Sequence, residues 1–235
     1  MSSTNLNKFL ASLQAYRSGI DTFNPWSDYD PIYDQSPNAP LIRRTQLKEY
    51  LHCRIHKVKY VLIAEAVGYQ GGKFSGIPMT SERILLGNQP DIAPDIVLPN
   101  FTPQRTSSPK AASSKTVREQ GYAEPTATIV WGLLQKLPLS PLEIILWNIF
   151  PFHPFKPEKG GLTNRTPKEQ ELENGLEFFR QLIALCPPNI QIIAIGEKSA
   201  STLGPDCQKV RHPANGGANQ FREQLPPLLI DSPSA

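Results

Sequence analysis

Three segments of the chain place polar side chains in glycine- or proline-rich sequence directly after a predicted strand. The first, residues 65–79, carries Glu65 and four glycines; the second begins at Asn148 and the third at His212. A carboxylate can position water, an amide can read the edge of a base, and an imidazole can donate a hydrogen bond to a developing anion. The glycines allow a close approach of the backbone to a ligand.

Each of these segments is weak evidence when it is considered alone. The glycine-rich segment lacks the GK[ST] sequence of a P-loop and the GxGxxG spacing of a dinucleotide site. An asparagine such as Asn148 is more often a turn cap than a ligand, and a lone loop histidine such as His212 is more often structural. His153, which lies between proline and phenylalanine residues, favours a role in shaping its loop over a catalytic role. The combination is more informative than its parts.

Strands and helices alternate along the chain and must position these segments. Apolar runs predict buried strands over residues 58–64, 143–150 and 190–196 and a short fourth strand over 208–211. Helices are predicted over residues 4–17, 41–52, 126–137, 166–186 and 199–203, and a last one runs through Phe221. Thr166 is the expected N-cap of the helix over 166–186, with Pro167 at its first position and Glu169 completing a capping box.

This alternation predicts an α/β fold, a three-layer α/β/α sandwich with a central, mostly parallel four-stranded sheet. In such folds ligands bind beyond the carboxyl ends of the strands, so the three polar segments are expected to form one site.

The composition indicates one globular domain over residues 1–235. Hydrophobic residues make up 39% and charged residues 19% of the 235 residues. We expect a helical N-terminal extension over residues 1–55 and a basic loop or insertion over 88–118, for which a solvated and a DNA-facing role are equally open. The formal net charge of +3 permits a nucleic-acid partner without requiring one.

The three cysteines argue against a metal centre. Cys53, Cys186 and Cys207 are far apart and form no CxxC pair, so we expect buried thiols, no metal and no cofactor. No secretory signal is recognisable over residues 1–10, and no apolar run reaches the length of a membrane span. A cytoplasmic, nucleoid-associated location is the expectation, with a loose tail at 232–235.

Taken in order, the polar segments resemble the motifs of the uracil-DNA glycosylase superfamily over residues 58–225, leaving the first 50 residues outside. A first motif of the type GEAPG or GxNPG corresponds to AEAVG at 64–68, and an element G-[VF]-P-F to GIPM at 76–79. The base-reading asparagine corresponds to Asn148, and the final HPS-type motif to HPA at 212–214. Met79 replaces a stacking phenylalanine, for which Phe74 could substitute, and the cysteines of cluster-bearing members are absent.

The resemblance implies a monomeric, monofunctional DNA glycosylase that flips uracil out of DNA and stabilises it as a leaving anion. It implies that Asn148 reads the O4/N3 edge and that His212 donates to O2. Glu65 either positions the water or braces the loop. The base pocket would comprise these side chains and Ala66, Val67, Gly68, Phe74 and Met79.

The same resemblance implies contacts with DNA and a preference among bases. Lys156 and Arg165 are expected at phosphates, and the loop residues Asn215, Gly216 and Gly217 in the minor groove. Gly68 stands where strict uracil enzymes have a tyrosine, which predicts tolerance of 5-substituted uracils. Two alternatives stay open: a non-catalytic module binding damaged DNA or nucleobases, and a hydrolase or transferase that binds nucleotide phosphate with the glycine-rich loop.

Overall fold

The computed structural model describes residues 3–17 and 19–230, and its centre is the predicted four-stranded parallel sheet. The strands are β1 Thr22–Phe23, β2 Tyr60–Ala66, β3 Ile144–Phe150, β4 His153–Pro154, β5 Gln191–Ile195 and β6 Gln208–Val210. The helices are α1 Ser3–Ala15, α2 Ala39–His52, α3 Gly72–Ser75, α4 Glu82–Leu85, α5 Lys115–Gln120, α6 Pro125–Leu134, α7 Glu169–Ile183, α8 Glu197–Leu203 and α9 Ala218–Ile230.

The central sheet has the order β3–β2–β5–β6, and all its pairs are parallel. All seven residues of β3 are buried, as are the first five of β2, which explains their continuous apolar sequence. The predicted sandwich is confirmed. A separate two-residue pair, β1 with β4, is antiparallel and was not predicted.

The connections determine which helices cover which face. In the strand order β3–β2–β5–β6, the connection from β2 to β3 through α6 runs toward one edge of the sheet. The connections from β3 to β5 through α7 and from β5 to β6 through α8 run toward the opposite edge. Because parallel crossovers are right-handed, α6 lies on one face and α7 and α8 lie on the other. The packing of α7 on β3, and of α8 on β5 and β2, agrees with this arrangement.

The N-terminal residues belong to the core. Phe9 and Trp26 both pack on Trp147, with ring centroids 5.8 and 6.3 Å away. The Tyr50 hydroxyl accepts a hydrogen bond from the Leu146 amide at 2.7 Å. Helix α2 therefore satisfies backbone groups of β3, which is an edge strand and would otherwise expose them.

Helix α7 begins three residues later than its sequence predicts. The expected Thr166 cap and Glu169 capping box are wrong: the helix starts at Glu169, with Lys168 as N-cap. The Glu171 carboxylate accepts the Lys168 amide at 2.7 Å and also binds the Arg165 guanidinium. Glu171 therefore caps the helix start in place of the predicted Glu169, and its ion pair with Arg165 holds the carboxylate there.

Segment 88–118 is mostly irregular, as expected, but it is anchored to the fold. The buried Glu82 carboxylate accepts the amides of Thr106 and Ser107 at 2.7 and 2.9 Å. Arg105 donates to the backbone carbonyl oxygens of Val117 and Arg118, so its charge is used within the segment.

The predicted loose tail lies outside the described residues. Among the helices of the described ranges, none combines the length and apolarity needed to cross a bilayer.

Candidate base-binding site

The three polar segments all follow carboxyl ends of strands at one edge of the sheet. The first two are joined directly: the Val67 amide donates to the Phe152 carbonyl oxygen at 3.4 Å, and the Tyr69 amide donates to Asn164 Oδ1 at 3.1 Å. The third follows β6, two strands away, and His212 packs against Gly196 at the end of β5. The segments therefore share the edge at which ligands bind in such sheets.

Asn148 is the most unusual polar residue of this edge. It is 1% exposed, and neither Oδ1 nor Nδ2 has a hydrogen-bond partner among the described residues. Leaving a buried donor or acceptor unpaired costs about 1–3 kcal/mol for each group. Buried amides are almost always paired, so the unpaired donor and acceptor make Asn148 a candidate ligand-binding residue.

Glu65 lies on the other face of the sheet from Asn148. Asn148 is the register partner of Ala64, and side chains alternate along a strand, so Asn148 shares its face with Ala64 and Ala66. Glu65 instead faces the side of α8, where the charge of Lys198 acts on it. Burial raises the pKa of Glu65, and Lys198 partly offsets this. Glu65 Oε1 is buried and meets no donor in the described part of the chain, which gives no support to a bracing role.

The glycine-rich loop after β2 is held in shape by the N-terminal residues. Trp26 Nε1 donates to the Gly76 carbonyl oxygen at 3.0 Å, and Gln46 Nε2 donates to the Ser75 carbonyl oxygen at 2.7 Å. Gly76 has a φ of 74°, and a Cβ there would lie 2.6 Å from Arg43. Only glycine fits, so the N-terminal region shapes the glycine-rich loop as well as the core.

The two candidate stacking residues are both buried. The Phe74 ring is fully buried and stacks on Tyr122, with centroids 4.6 Å apart and planes at 10°. The ring face that Tyr122 covers is closed to a base. Met79 is 4% exposed and has a left-handed φ of 46°, a conformation that is typical of constrained functional loops.

His212 has a defined tautomer. Its Nδ1 accepts the Ala214 amide at 3.1 Å, so in the neutral ring the proton is on Nε2, which can donate. Burial lowers the pKa of His212, and the adjacent Arg211 lowers it further. The ring is therefore a neutral donor near pH 7. Gly196, with a φ of 93°, allows its close approach, since a Cβ there would lie 3.1 Å from the His212 Cβ.

His153 links the first two loops. It is fully buried, and its Nδ1 and Nε2 lie 3.0 and 3.2 Å from the carbonyl oxygens of Val67 and Gly161. Burial lowers the pKa of His153 to about 4, with Lys73 contributing. This geometry matches the loop-shaping alternative, because neither ring nitrogen faces open space.

The candidate DNA contacts differ in accessibility. Lys156 is exposed, whereas Arg165 is held by Glu171 at 2.7 Å and Asp21 at 3.3 Å, so a phosphate contact by Arg165 would require this cluster to open. Asn215 and Gly216 form an exposed turn with φ values of 53° and 78°. Gly217 is buried, and a Cβ there would lie 2.1 Å from the His212 carbonyl oxygen.

The fold is similar to that of a solved protein, although comparison of sequences finds no similar protein. No protein-family model matches this chain, and no curated protein matches it. The crystal structure of wild-type SMUG2 from Pedobacter heparinus is similar with a TM-score of 0.62 over 97% of both chains, at 11% identity. The chain therefore shares the fold of that protein. The coverage includes most of the N-terminal 55 residues, which the motif resemblance left outside.

Within this fold, two buried charges near the site escaped sequence reasoning. Lys73 in α3 is 1% exposed, and its Nζ donates to Asp30 Oδ2 and to the Gly161 carbonyl oxygen, both at 3.0 Å. The aromatic rings of Phe23 and Tyr33 lie about 5 Å from the same ammonium group. Lys73 therefore ties the glycine-rich loop to the loop after β3.

The second is Glu124, at the N-cap of α6. Its Oε2 is buried and has no hydrogen-bond partner among the described residues. Burial raises the pKa of Glu124 to about 7. The carboxyl group lies against Gly68 and Gly71 of the glycine-rich loop. No motif marks Glu124; a lone carboxylate before a helical proline is ordinary helix-start sequence.

Proposed function

We propose that this chain is a DNA glycosylase that hydrolyses the N-glycosidic bond of uracil and of 5-substituted uracils in DNA. The observation that carries the proposal is the buried, unpartnered amide of Asn148 at the carboxyl end of β3. An amide with both functions free complements the adjacent donor and acceptor of a uracil edge, N3–H and O4. Because the edge is read from a buried site, the nucleotide must leave the helix first.

In this proposal the chemistry is stabilisation of the leaving base. As the bond between C1′ and N1 breaks, the electron pair stays on the base and negative charge develops at O2. His212 Nε2–H donates to that oxygen, and a neutral imidazole is suited to this because the proton is shared and not transferred. A single donor of this kind is typically worth about 10²–10³ in rate. Water then adds to C1′, and the proton that it loses neutralises the uracil anion, which completes hydrolysis.

Two further roles are proposed: one is to position the water, and the other is to hold the flipped base. Glu65 would position the water from the strand end, since its Oε1 meets no donor among the described residues. The backbone of Ala66, Val67 and Gly68 would bond the base, and Met79 would pack on it. Tyr122 covers Phe74, so stacking by Phe74 would require Tyr122 to move or the base to use the opposite face.

The proposed partner is DNA, bound by a monomer in the nucleoid. Lys156 would contact a phosphate, and the exposed turn at Asn215 and Gly216 would enter the minor groove. Electrostatic contacts of this kind make binding depend steeply on salt.

Single-turnover cleavage of a uracil-containing oligonucleotide tests the assignment of His212. We expect His212→Ala to lower the rate about 100-fold or more, with oligonucleotide affinity nearly unchanged. His56→Ala, an exposed histidine before β2, is the matched control and should match wild type. Equal rates for both variants would remove His212 from the mechanism. Tight binding without cleavage by the wild-type protein would instead favour the non-catalytic damaged-DNA module.

A further inference from the structure

The Glu124 carboxyl group occupies space that a side chain at the glycine-rich loop would otherwise take. A Cβ on Gly71 would lie 2.2 Å from Oε2, and one on Gly68 would lie 2.9 Å from Oε1. The carboxyl group therefore lies in contact with the turn that follows β2. Asn164 is close by, with Oδ1 3.9 Å from the Gly68 Cβ position, and it already accepts the Tyr69 amide.

Glu124 is on the same side of the sheet as Asn148. Helix α6, which Glu124 caps, covers the face opposite α7 and α8, and Asn148 points to that face through its register with Ala64. Tyr122, two residues earlier, stacks on Phe74 of the same loop. We call residues 122–124 the wall: this segment lies against the glycine-rich loop, on the face of the sheet that carries Asn148.

The chemistry of a pyrimidine indicates what this wall would meet. If Asn148 hydrogen-bonds N3–H and O4, and His212 hydrogen-bonds O2, every polar atom on the base edge has a partner. The ring position next to C4 is C5, which carries no polar atom in uracil. A buried polar group that remains unpaired beside the pocket is therefore matched by a polar substituent at C5.

We infer that Glu124 Oε2 is a specificity-determining group that hydrogen-bonds a polar substituent at C5 of the flipped pyrimidine, such as the hydroxyl of 5-hydroxymethyluracil. The inference rests on the proposed function. A methyl group at the same place would leave Oε2 buried without a partner, so thymine would be disfavoured by chemistry as well as by size.

The protonation of Glu124 supports this pairing. Burial raises its pKa to about 7, so near neutral pH the carboxyl group is partly protonated and can donate as well as accept. A hydroxyl group can do both and complements either form.

The test is the ratio of cleavage rates for 5-hydroxymethyluracil and uracil in otherwise identical single-stranded oligonucleotides. We expect Glu124→Leu, which keeps the size but loses the polar atoms, to lower this ratio at least ~10-fold. Glu124→Gln, which keeps a donor and an acceptor, should stay within about threefold of wild type. Glu119→Leu is the matched control because Glu119 is exposed on α5, and its ratio should equal that of wild type.

The outcomes separate this inference from the proposed function. If uracil is cleaved but the ratio is the same in Glu124→Leu and wild type, the inference fails and the glycosylase remains. If the wild-type protein cleaves neither base, the proposed function fails. The affinity ratio for 2′-fluoro oligonucleotides carrying the two bases then decides the inference: a drop in Glu124→Leu supports it, and an unchanged ratio overturns it. Thermal unfolding of each variant verifies that it is folded.

Discussion

Replacing Glu124 with glutamine should make the stability of the protein less dependent on pH. The substitution keeps the shape of the side chain and removes its ionisation. Folding raises the pKa of this carboxyl group from 4.5 to about 7 because burial disfavours the charged form. The folded state therefore holds a proton that the unfolded chain releases, and wild-type stability falls as the pH rises from 4.5 to 7.

The size of the effect follows from the shift. One pKa unit corresponds to about 1.4 kcal/mol, so the penalty is about 3 kcal/mol at pH 8 and below ~1 kcal/mol at pH 5. Part of Glu124 reaches solvent, which makes about 2–3 kcal/mol the working range at pH 8. The variant should be more stable than wild type by this amount at pH 8 and nearly equal at pH 5.

Urea denaturation at the two pH values measures this difference directly. The comparison of variant with wild type cancels every other titrating group, including His153. Glu119→Gln serves as a control because this side chain is exposed on α5, and its stability should stay close to that of wild type. The reasoning would be refuted by a Glu124→Gln stability difference that is the same at pH 5 and pH 8.

Three further predictions test the neighbouring contacts. Burial lowers the pKa of His153 from 6.5 to about 4. Wild type should therefore lose up to about 3 kcal/mol of stability relative to His153→Gln as the pH falls from 6.5 to 4. A stability difference, measured by urea denaturation, that does not change with pH would contradict this. Gly71→Ala should destabilise the fold by at least ~1 kcal/mol because the new Cβ meets the Glu124 carboxyl group. Adding Glu124→Ala in the same chain should relieve most of this loss. Strictly additive effects of the two substitutions in a double-mutant cycle would show that the two residues do not interact. Lys156→Ala should reduce the slope of log affinity for DNA against log salt by about 1, measured by fluorescence anisotropy, and an unchanged slope would remove the phosphate contact.

The fold could be predicted because the strands of its sheet can be recognised from local sequence. Strands β2 and β3 are buried on both faces, so they appear as uninterrupted apolar runs, and the crossover rule arranges what lies between them. The two-residue pair β1–β4 could not be predicted, since it depends on residues more than 100 positions apart and has no periodicity of its own.

The site was predictable only in part, because its buried charges depend on distant partners. Lys73 meets Asp30 from 43 positions away, and sequence gives no sign that either is buried. Arg165 was expected at a phosphate, yet its guanidinium is neutralised by Glu171 and by Asp21, which lies 144 positions earlier. The loop motifs predict where the site lies, and that location and the roles of Asn148, His212 and Glu65 remain predictions for experiment.

The most direct test of the central claim is the release of free uracil by the pure protein, measured by mass spectrometry with a single-stranded oligonucleotide that carries one uracil. We expect wild type and Asn189→Ala, an exposed asparagine before β5, to release uracil at equal rates. Asn148→Ala should be slower by about 100-fold or more, because the only side-chain amide proposed to read the base edge is lost. No uracil from wild type, or equal rates from Asn148→Ala and Asn189→Ala, would contradict the account.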